Sequence, residues 1–371
     1  MIRFLTAGDS HGEALCGIIE GLPAGIRINA GYIEKQLARR RKTAGRSARQ
    51  KLEKDSVKII GGMRGGATTG APVALLLPNA APCAVKPFYT PRPGHADLAG
   101  AIKYGLCDLA GVSERASARE TAMTVALACF ARKLLEDAGA AIISRTIAIG
   151  AAADTLSSGK TAFMRAERSP VRCADNKCGN AMLAEIEKAA AGGETLGGIF
   201  ELALYGLPCG LGSHAHRDRK FKARLCEAVM SVNGVTGVAL GDAFNETSLS
   251  GGEFNGGYAT DGNGNITFSG GHAAGISGGI STGAPVLIRA AVKPPSSLGK
   301  PSASADIRSG RAGKAPVFRS DICFVPSAAV VAEAAAALAT ADLLLEKFGG
   351  DSVAEILPRV KAWRTACILK S

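Results

Sequence analysis

With 371 residues the chain can bury a large core, and 47% hydrophobic residues, 5% aromatics and 47 glycines describe a globular protein with many tight turns. The net charge of +12 points to an anionic partner, and position decides its kind: the arginines stand beside histidine and glycine motifs rather than in a tail, so neither nucleic acid nor membrane is expected as partner. No signal-peptide pattern opens the chain, apolar segments are broken before a bilayer is spanned, and ten scattered cysteines without CxxC spacing give neither a disulfide framework nor a metal site, so a cytoplasmic protein is expected.

In chain order, Ile2 to Thr6 and Leu15 to Glu20 read as strands flanking a Gly-bounded loop that carries Ser10 and His11. A helix opens at Asn29 or Ala30 and ends in Arg39-Arg40-Arg41-Lys42, then Gly45-Arg46-Ser47-Ala48-Arg49 continues the basic run into a loop. The helix dipole accounts for two or three of these charges; the spaced arginines beyond it can curl around an anion, and no aromatics interleave for base stacking. Strands are expected over Val57 to Gly61 and Pro72 to Leu77, a Pro/Ala-rich loop over 78 to 94, a helix over Ser117 to Ala138 and a strand over Ala140 to Ile149. A helix over Gly179 to Ala191, a strand over Leu196 to Leu207, a helix over Lys220 to Met230 and a strand over Val235 to Leu240 follow. His214 and His216 have no third metal ligand in view. Residues 242 to 271 read as an irregular excursion, and the glycine-dense Gly270 to Gly283 leads into a strand over Pro285 to Val292 and then Lys293-Pro294-Pro295-Ser296-Ser297, a set that can hold a phosphate tail. Arg319-Ser320-Asp321 precedes a buried helix over Pro326 to Phe348, stopped by Gly349-Gly350; Asp321 could be no more than a cap salt-bridged to Arg319. The two long helices each follow an Arg/Ser turn and a run of strands, a hint of two related halves within one domain.

The stretch that organises the rest is Arg92-Pro93-Gly94-His95-Ala96-Asp97, followed by Glu114-Arg115-Ala116-Ser117-Ala118-Arg119-Glu120-Thr121. Pro93 and Gly94 make a sharp turn that presents His95 where the next helix starts, and histidine is the side chain that exchanges protons near neutral pH. Arg92, Arg115 and Arg119 offer planar forks for phosphate and carboxylate, and Ser117 caps or donates at a helix start. The plainer reading of this stretch alone is a turn and a capped helix with surface charges. The wider pattern favours a site for a multiply charged anion with an acid/base group beside it.

Taken in order, GDSHG, RRR…GR, RPGHAD…KYG…ERASARETAM, GLGS…DRK, SGGISTG…R…KP and RSD…VP resemble the chorismate synthase family from Ala7 to about Phe348. The resemblance implies a single α/β (α+β) domain over 1–371 in a β-α-β-α layered sandwich, a homotetramer, and elimination of phosphate from 5-enolpyruvylshikimate 3-phosphate with reduced FMN. It implies catalytic roles for His11, His95, Asp321 and Ser10, and substrate contacts from Arg40, Arg46, Arg49, Arg92, Arg119 and Arg319. The flavin would meet Ser117, Ala118, Arg119, Asn233, Gly234, Gly278, Lys293, Pro294, Pro295, Ser296, Ser297 and Arg319. Departures are His272-Ala273-Ala274, Gly234 where Ala is common, and Arg319-Ser320-Asp321 without the histidine that other members carry there. Two rivals are a flavin reductase using NADPH, for which no nicotinamide site can be read, and a basic RNA-binding protein, which leaves the histidines on their turns unexplained.

Overall fold

A computed structural model describes residues 1–47, 55–156, 159–260 and 266–365 of the chain. Arg3–Ala7 (β1), Ala14–Glu20 (β2), Lys58–Gly61 (β3) and Val73–Pro78 (β4) form an antiparallel sheet in the order β1-β2-β4-β3. Alternate residues point to opposite faces of such a sheet. Leu15, Ile19, Val73, Leu75 and Leu77 accordingly lie inward, whereas Leu5, Ile18 and Ile60 are exposed.

Ala30–Arg41 (α1), the short Asp97–Tyr104 (α2) and Ala110–Arg115 (α3), and the long Thr121–Asp137 (α4) follow. The helix expected from Ser117 begins as a 3-10 turn at Ala118–Glu120 before α4 proper. α4 packs on the inner face of the four-stranded sheet so closely that a Cβ on Gly17 would come within 2.7 Å of Met123 Cγ and 2.8 Å of Leu127 Cδ1.

Ala141–Ile149 (β5), Ala152–Ala153 (β6), Gly198–Tyr205 (β7), Val235–Leu240 (β8) and Val286–Val292 (β9) form a second antiparallel sheet, ordered β8-β9-β7-β5-β6. Its helices are Lys160–Ala166 (α5), Asn176–Ala191 (α6) and Phe221–Met230 (α7). α6 starts three residues ahead of the expected Gly179, because Asp175 caps it by accepting from Cys178 N–H at 2.8 Å. The excursion over 242 to 271 holds a helical turn at Gly251–Asn255 with a Ser250/Glu253 capping box, then a hairpin of Gly257–Thr260 with Ile266–Ser269.

Val325–Phe348 (α8) lies between the sheets, against α1, α4, α7, β5 and β7, and Val353–Thr365 (α9) follows it. By length and apolar content α8 would suffice to cross a bilayer, so the expectation that no apolar segment is that long is corrected; here nearly all of the helix is buried in the fold. Its most deeply buried carboxylate, Glu333, is met by Arg39 (2.6 Å), Arg132 (2.8 Å), Arg172 (3.1 Å) and the Ser144 hydroxyl (2.6 Å). Burial alone would raise the Glu333 carboxyl, but these arginines outweigh it and hold it well below the usual carboxylate range. Ser144 on β5 faces α8, and the next residue, Arg145, lies over the Phe163 ring of α5 on the opposite face. The layers therefore run sheet, helices, sheet, helix, as the resemblance implied.

Candidate active site

The loop between β1 and β2 is gripped from below by Asn79 at the end of β4. Its side-chain amide donates to Gly12 O (2.7 Å), its own N–H to Glu13 O (2.9 Å), and Cys83 N–H donates to His11 O (2.9 Å). Glu114, on the last turn of α3, holds His11 at two points: Oε2 accepts from the His11 backbone N–H and Oε1 meets ring Nδ1, both at 2.6 Å. Ser10 is buried, and its hydroxyl accepts from Ser117 Oγ at 3.1 Å.

The Arg92–Asp97 stretch folds as expected into a turn, with His95 N–H donating to Arg92 O (3.2 Å) and Gly94 at φ 74°. Arg92 itself is fully engaged by protein. Its Nε donates to Asp97 Oδ2 (2.8 Å), Nη1 to Ser297 (2.9 Å) and Nη2 to Asp97 Oδ1 (2.9 Å) and Ser113 (2.6 Å), while the guanidinium lies 4.8 Å from the Phe318 ring centre. Such a fork orders the turn rather than reaching out for an anion. His95 Nδ1 lies 2.6 Å from Asp97 Oδ1. Burial would raise the Asp97 carboxyl, but the hydrogen bonds from His95 and Arg92 prevail and keep it well below the carboxylate range.

The basic run after α1 behaves differently. Arg40 is 1% exposed; its Nε donates to Thr121 Oγ1 (3.0 Å) and Nη2 to Ala118 O (2.8 Å), and Nη1 is buried without a hydrogen-bond partner among the described residues. Burial first, then the charges of Arg46 and Arg119, pull this guanidinium down to about 9 against the opposing pull of Asp55 and Asp321. Arg119 donates to Asp55 (2.6 Å) and Asn79 (2.9 Å). Arg46 pairs with Asp321 Oδ2 (3.0 Å) and donates to Ser327 (2.9 Å), while Ser47 N–H donates to Asp321 Oδ1 (2.7 Å). Asp321 is thus tied to Arg46 rather than to its neighbour Arg319, which is exposed. Arg49 lies outside the described residues.

Of the segments expected to hold a flavin, the one over 293–297 reaches the same turn, and Asn233 and Gly234 adjoin it. Lys293 Nζ (2.5 Å) and Ser296 Oγ (2.7 Å) both donate to Gly94 O, Lys293 N–H donates to Gly234 O (2.9 Å), and Asn233 reaches Ala116 O, next to Ser117, at 3.4 Å. Thr195 fixes the Pro294-Pro295 step by donating to Pro295 O at 2.7 Å. An ammonium, two hydroxyls and a rigid diproline backbone suit a phosphate-tailed cofactor, so the residues present fit FMN. Gly278 is set apart, beside His214, where the adjacent Gly279 carbonyl receives Phe221 N–H at 2.7 Å. Gly234 has φ 83°, and a Cβ there would sit 2.4 Å from the Phe324 ring. His272 meets Glu246 at 2.9 Å and stacks near Phe254, both in the excursion over 242 to 271.

Several residues that build this site carry no role in the sequence reading. Asp97 and Glu114 stand inside its two central motifs, and a carboxylate two residues from a histidine was a usable signal for Asp97. Nothing local marks Asp55, Asn79 or Ser113, whose partners are distant in the chain.

A family model described as chorismate synthase matches residues 2–345. The chain is 43% identical over 373 residues to a chorismate synthase of Desulforudis audaxviator (strain MP104C), with 96% of each covered. It is 42% identical over 388 residues to one of Pseudarthrobacter chlorophenolicus, covering 98% of this chain and 97% of that one. A solved structure described as a crystal structure of chorismate synthase matches with a TM-score of 0.82 at 31% identity, over 99% of this chain and 98% of that chain. Sequence and fold agree over nearly the full length, and the chain belongs to the chorismate synthase family.

Proposed function

We propose that the chain is a carbon-oxygen lyase that eliminates phosphate from 5-enolpyruvylshikimate 3-phosphate in the trans-1,4 sense to give chorismate, with reduced FMN as cofactor. The observation that carries this reading is the buried Arg40 guanidinium with Nη1 unpartnered among the described residues, crowded by Arg46 and Arg119. Like charges gathered out of water are costly unless an anion joins them, and this substrate brings a phosphate and two carboxylates.

In this reading Arg40, Arg46 and Arg119 neutralise the substrate's anionic groups, with Arg49 and Arg319 completing the set. Arg92 serves instead to hold His95. His11 donates a proton to the departing phosphate as the carbon–oxygen bond breaks, and Asp321, oriented by Arg46, takes up the proton lost from C6. The electron pair of that carbon–hydrogen bond becomes part of the new diene, so no net redox change results. Ser10, whose hydroxyl accepts from Ser117, would serve as a relay to Asp321 in that proton removal. Ser117, Ala118, Arg119, Asn233, Gly234 and Lys293 to Ser297 would hold the flavin, with His95 beside it; bound and reduced, the flavin supplies transient electron density that helps a poor allylic leaving group depart. A cytoplasmic homotetramer is part of the proposal, supported by the exposed Leu5, Ile18 and Ile60 on the outer sheet face.

The test is anaerobic: protein, dithionite-reduced FMN and 5-enolpyruvylshikimate 3-phosphate, with chorismate absorbance and phosphate release followed together. Equal yields of the two are expected, falling about 10²- to 10⁴-fold in His11→Ala. Absence of both products with flavin bound would sink the reading. Replacing dithionite by NADPH tests for an intrinsic flavin reductase, and light scattering reads the subunit count.

A further inference from the structure

We propose that Glu114 is a positioning residue that keeps a hydrogen on His11 Nδ1, so that Nε2 is the nitrogen that takes up a proton to form the imidazolium and gives that proton to the leaving group. The inference rests on the elimination chemistry above for its consequence, though not for its geometry. Both carboxylate oxygens reach the same residue, Oε2 the His11 backbone N–H and Oε1 the ring Nδ1, each at 2.6 Å. A backbone N–H can only donate, so Oε2 is an acceptor; an ionised carboxylate only accepts, so Oε1 requires a hydrogen on Nδ1. The carboxylate is 11% exposed and the imidazole 33%, so the grip is shielded while part of the ring stays open. The His11 carbonyl is meanwhile held by Cys83 N–H at 2.9 Å, which leaves the loop little freedom to turn the ring away. Nε2 makes no hydrogen bond among the described residues, as a proton-transfer atom requires before substrate arrives.

A glutamine at 114 keeps the size and cannot keep both contacts. Its one oxygen can serve the backbone N–H, in which case its amide donates to Nδ1 and forces the hydrogen onto Nε2; or it can serve Nδ1–H, in which case two N–H groups face each other. The first arrangement costs less, because a buried donor against a donor leaves both unsatisfied. Glu114→Gln therefore flips the tautomer without emptying the site.

The experiment uses full-length protein labelled with ¹⁵N-histidine, with the His11 resonance assigned by its loss in His11→Asn. In the wild type the neutral ring is expected as the Nδ1–H tautomer, and in Glu114→Gln as the Nε2–H tautomer. In turnover, Glu114→Gln is expected to lower kcat by about 10²- to 10⁴-fold with KM within about twofold, because a ring that faces an amide donor at Nδ1 cannot become the imidazolium that gives up a proton at Nε2. On a His11→Ala background the same change is expected to cost nothing further. A wild-type His11 in the Nε2–H tautomer overturns the proposal even if no variant folds, as does a Glu114→Gln protein with unaltered tautomer and kcat. Should the wild type show the Nδ1–H tautomer and form no chorismate, the lock stands and the elimination reading fails.

Discussion

Arg92 holds Asp97 with a two-pronged hydrogen bond, Nε to Oδ2 at 2.8 Å and Nη2 to Oδ1 at 2.9 Å, and the same carboxylate meets His95 at 2.6 Å. One buried acid thus serves as the common counter-charge of the turn. Because its folded pKa is depressed, its contribution to stability is present above the ordinary carboxylate value, about 4, and is lost as pH falls through that value toward the lower folded one. Urea midpoints measured from pH 6 downward are expected to fall less steeply below about pH 4 in Asp97→Asn than in the wild type. Parallel slopes would show that the carboxylate is not ionised against these partners.

Arg40→Met separates ligand binding from folding. Removing a guanidinium already crowded by Arg46 and Arg119 is expected to leave the thermal midpoint unchanged or raised, while KM for the substrate rises about ten- to a hundredfold through loss of charge-assisted hydrogen bonds. Inorganic phosphate should stabilise the wild type against heat and not the variant. A variant with wild-type KM and wild-type phosphate response would remove Arg40 from the anion site.

Glu333 carries a different load. Substituting glutamine leaves Arg39, Arg132 and Arg172 with only the more exposed Glu167 and Glu136 as counter-charges, and breaking a buried ionic cluster in this way costs about 3–5 kcal/mol. Urea unfolding of Glu333→Gln should show that loss, with residual activity per folded molecule near wild type. An unchanged midpoint would mean the cluster relaxes around a neutral side chain.

Gly234 faces the Phe324 ring at 2.4 Å from any Cβ, in a backbone conformation that L residues rarely adopt. Gly234→Ala is expected to destabilise by about 1–3 kcal/mol, and Phe324→Leu in the same chain to recover part of it. Full stability of the single variant would contradict this packing.

How far the sequence could be read follows the reach of each interaction. The strands around His11, the turn at His95 and the stop of α8 at Gly349 are set by alternation, by Pro-Gly and by paired glycines, all local signals. α3 escaped because six residues carry too little apolar period, and α9 because Pro358 interrupts its pattern. From sequence a fork such as that of Arg92 looks the same whether it awaits an anion or is already filled by Asp97, Ser113 and Ser297. The Arg46–Asp321 pair joins residues far apart in sequence, whereas Arg319 was the neighbour in view.

Ser113 and Glu114 are consecutive residues of α3, and one receives Arg92 while the other receives His11. A rigid displacement of that single helical turn moves the partner of His11 and a partner of Arg92 together. In the reading proposed above, His11 and the turn that carries His95 therefore hang on one helical turn, so that a change at α3 reaches both in a single event rather than two.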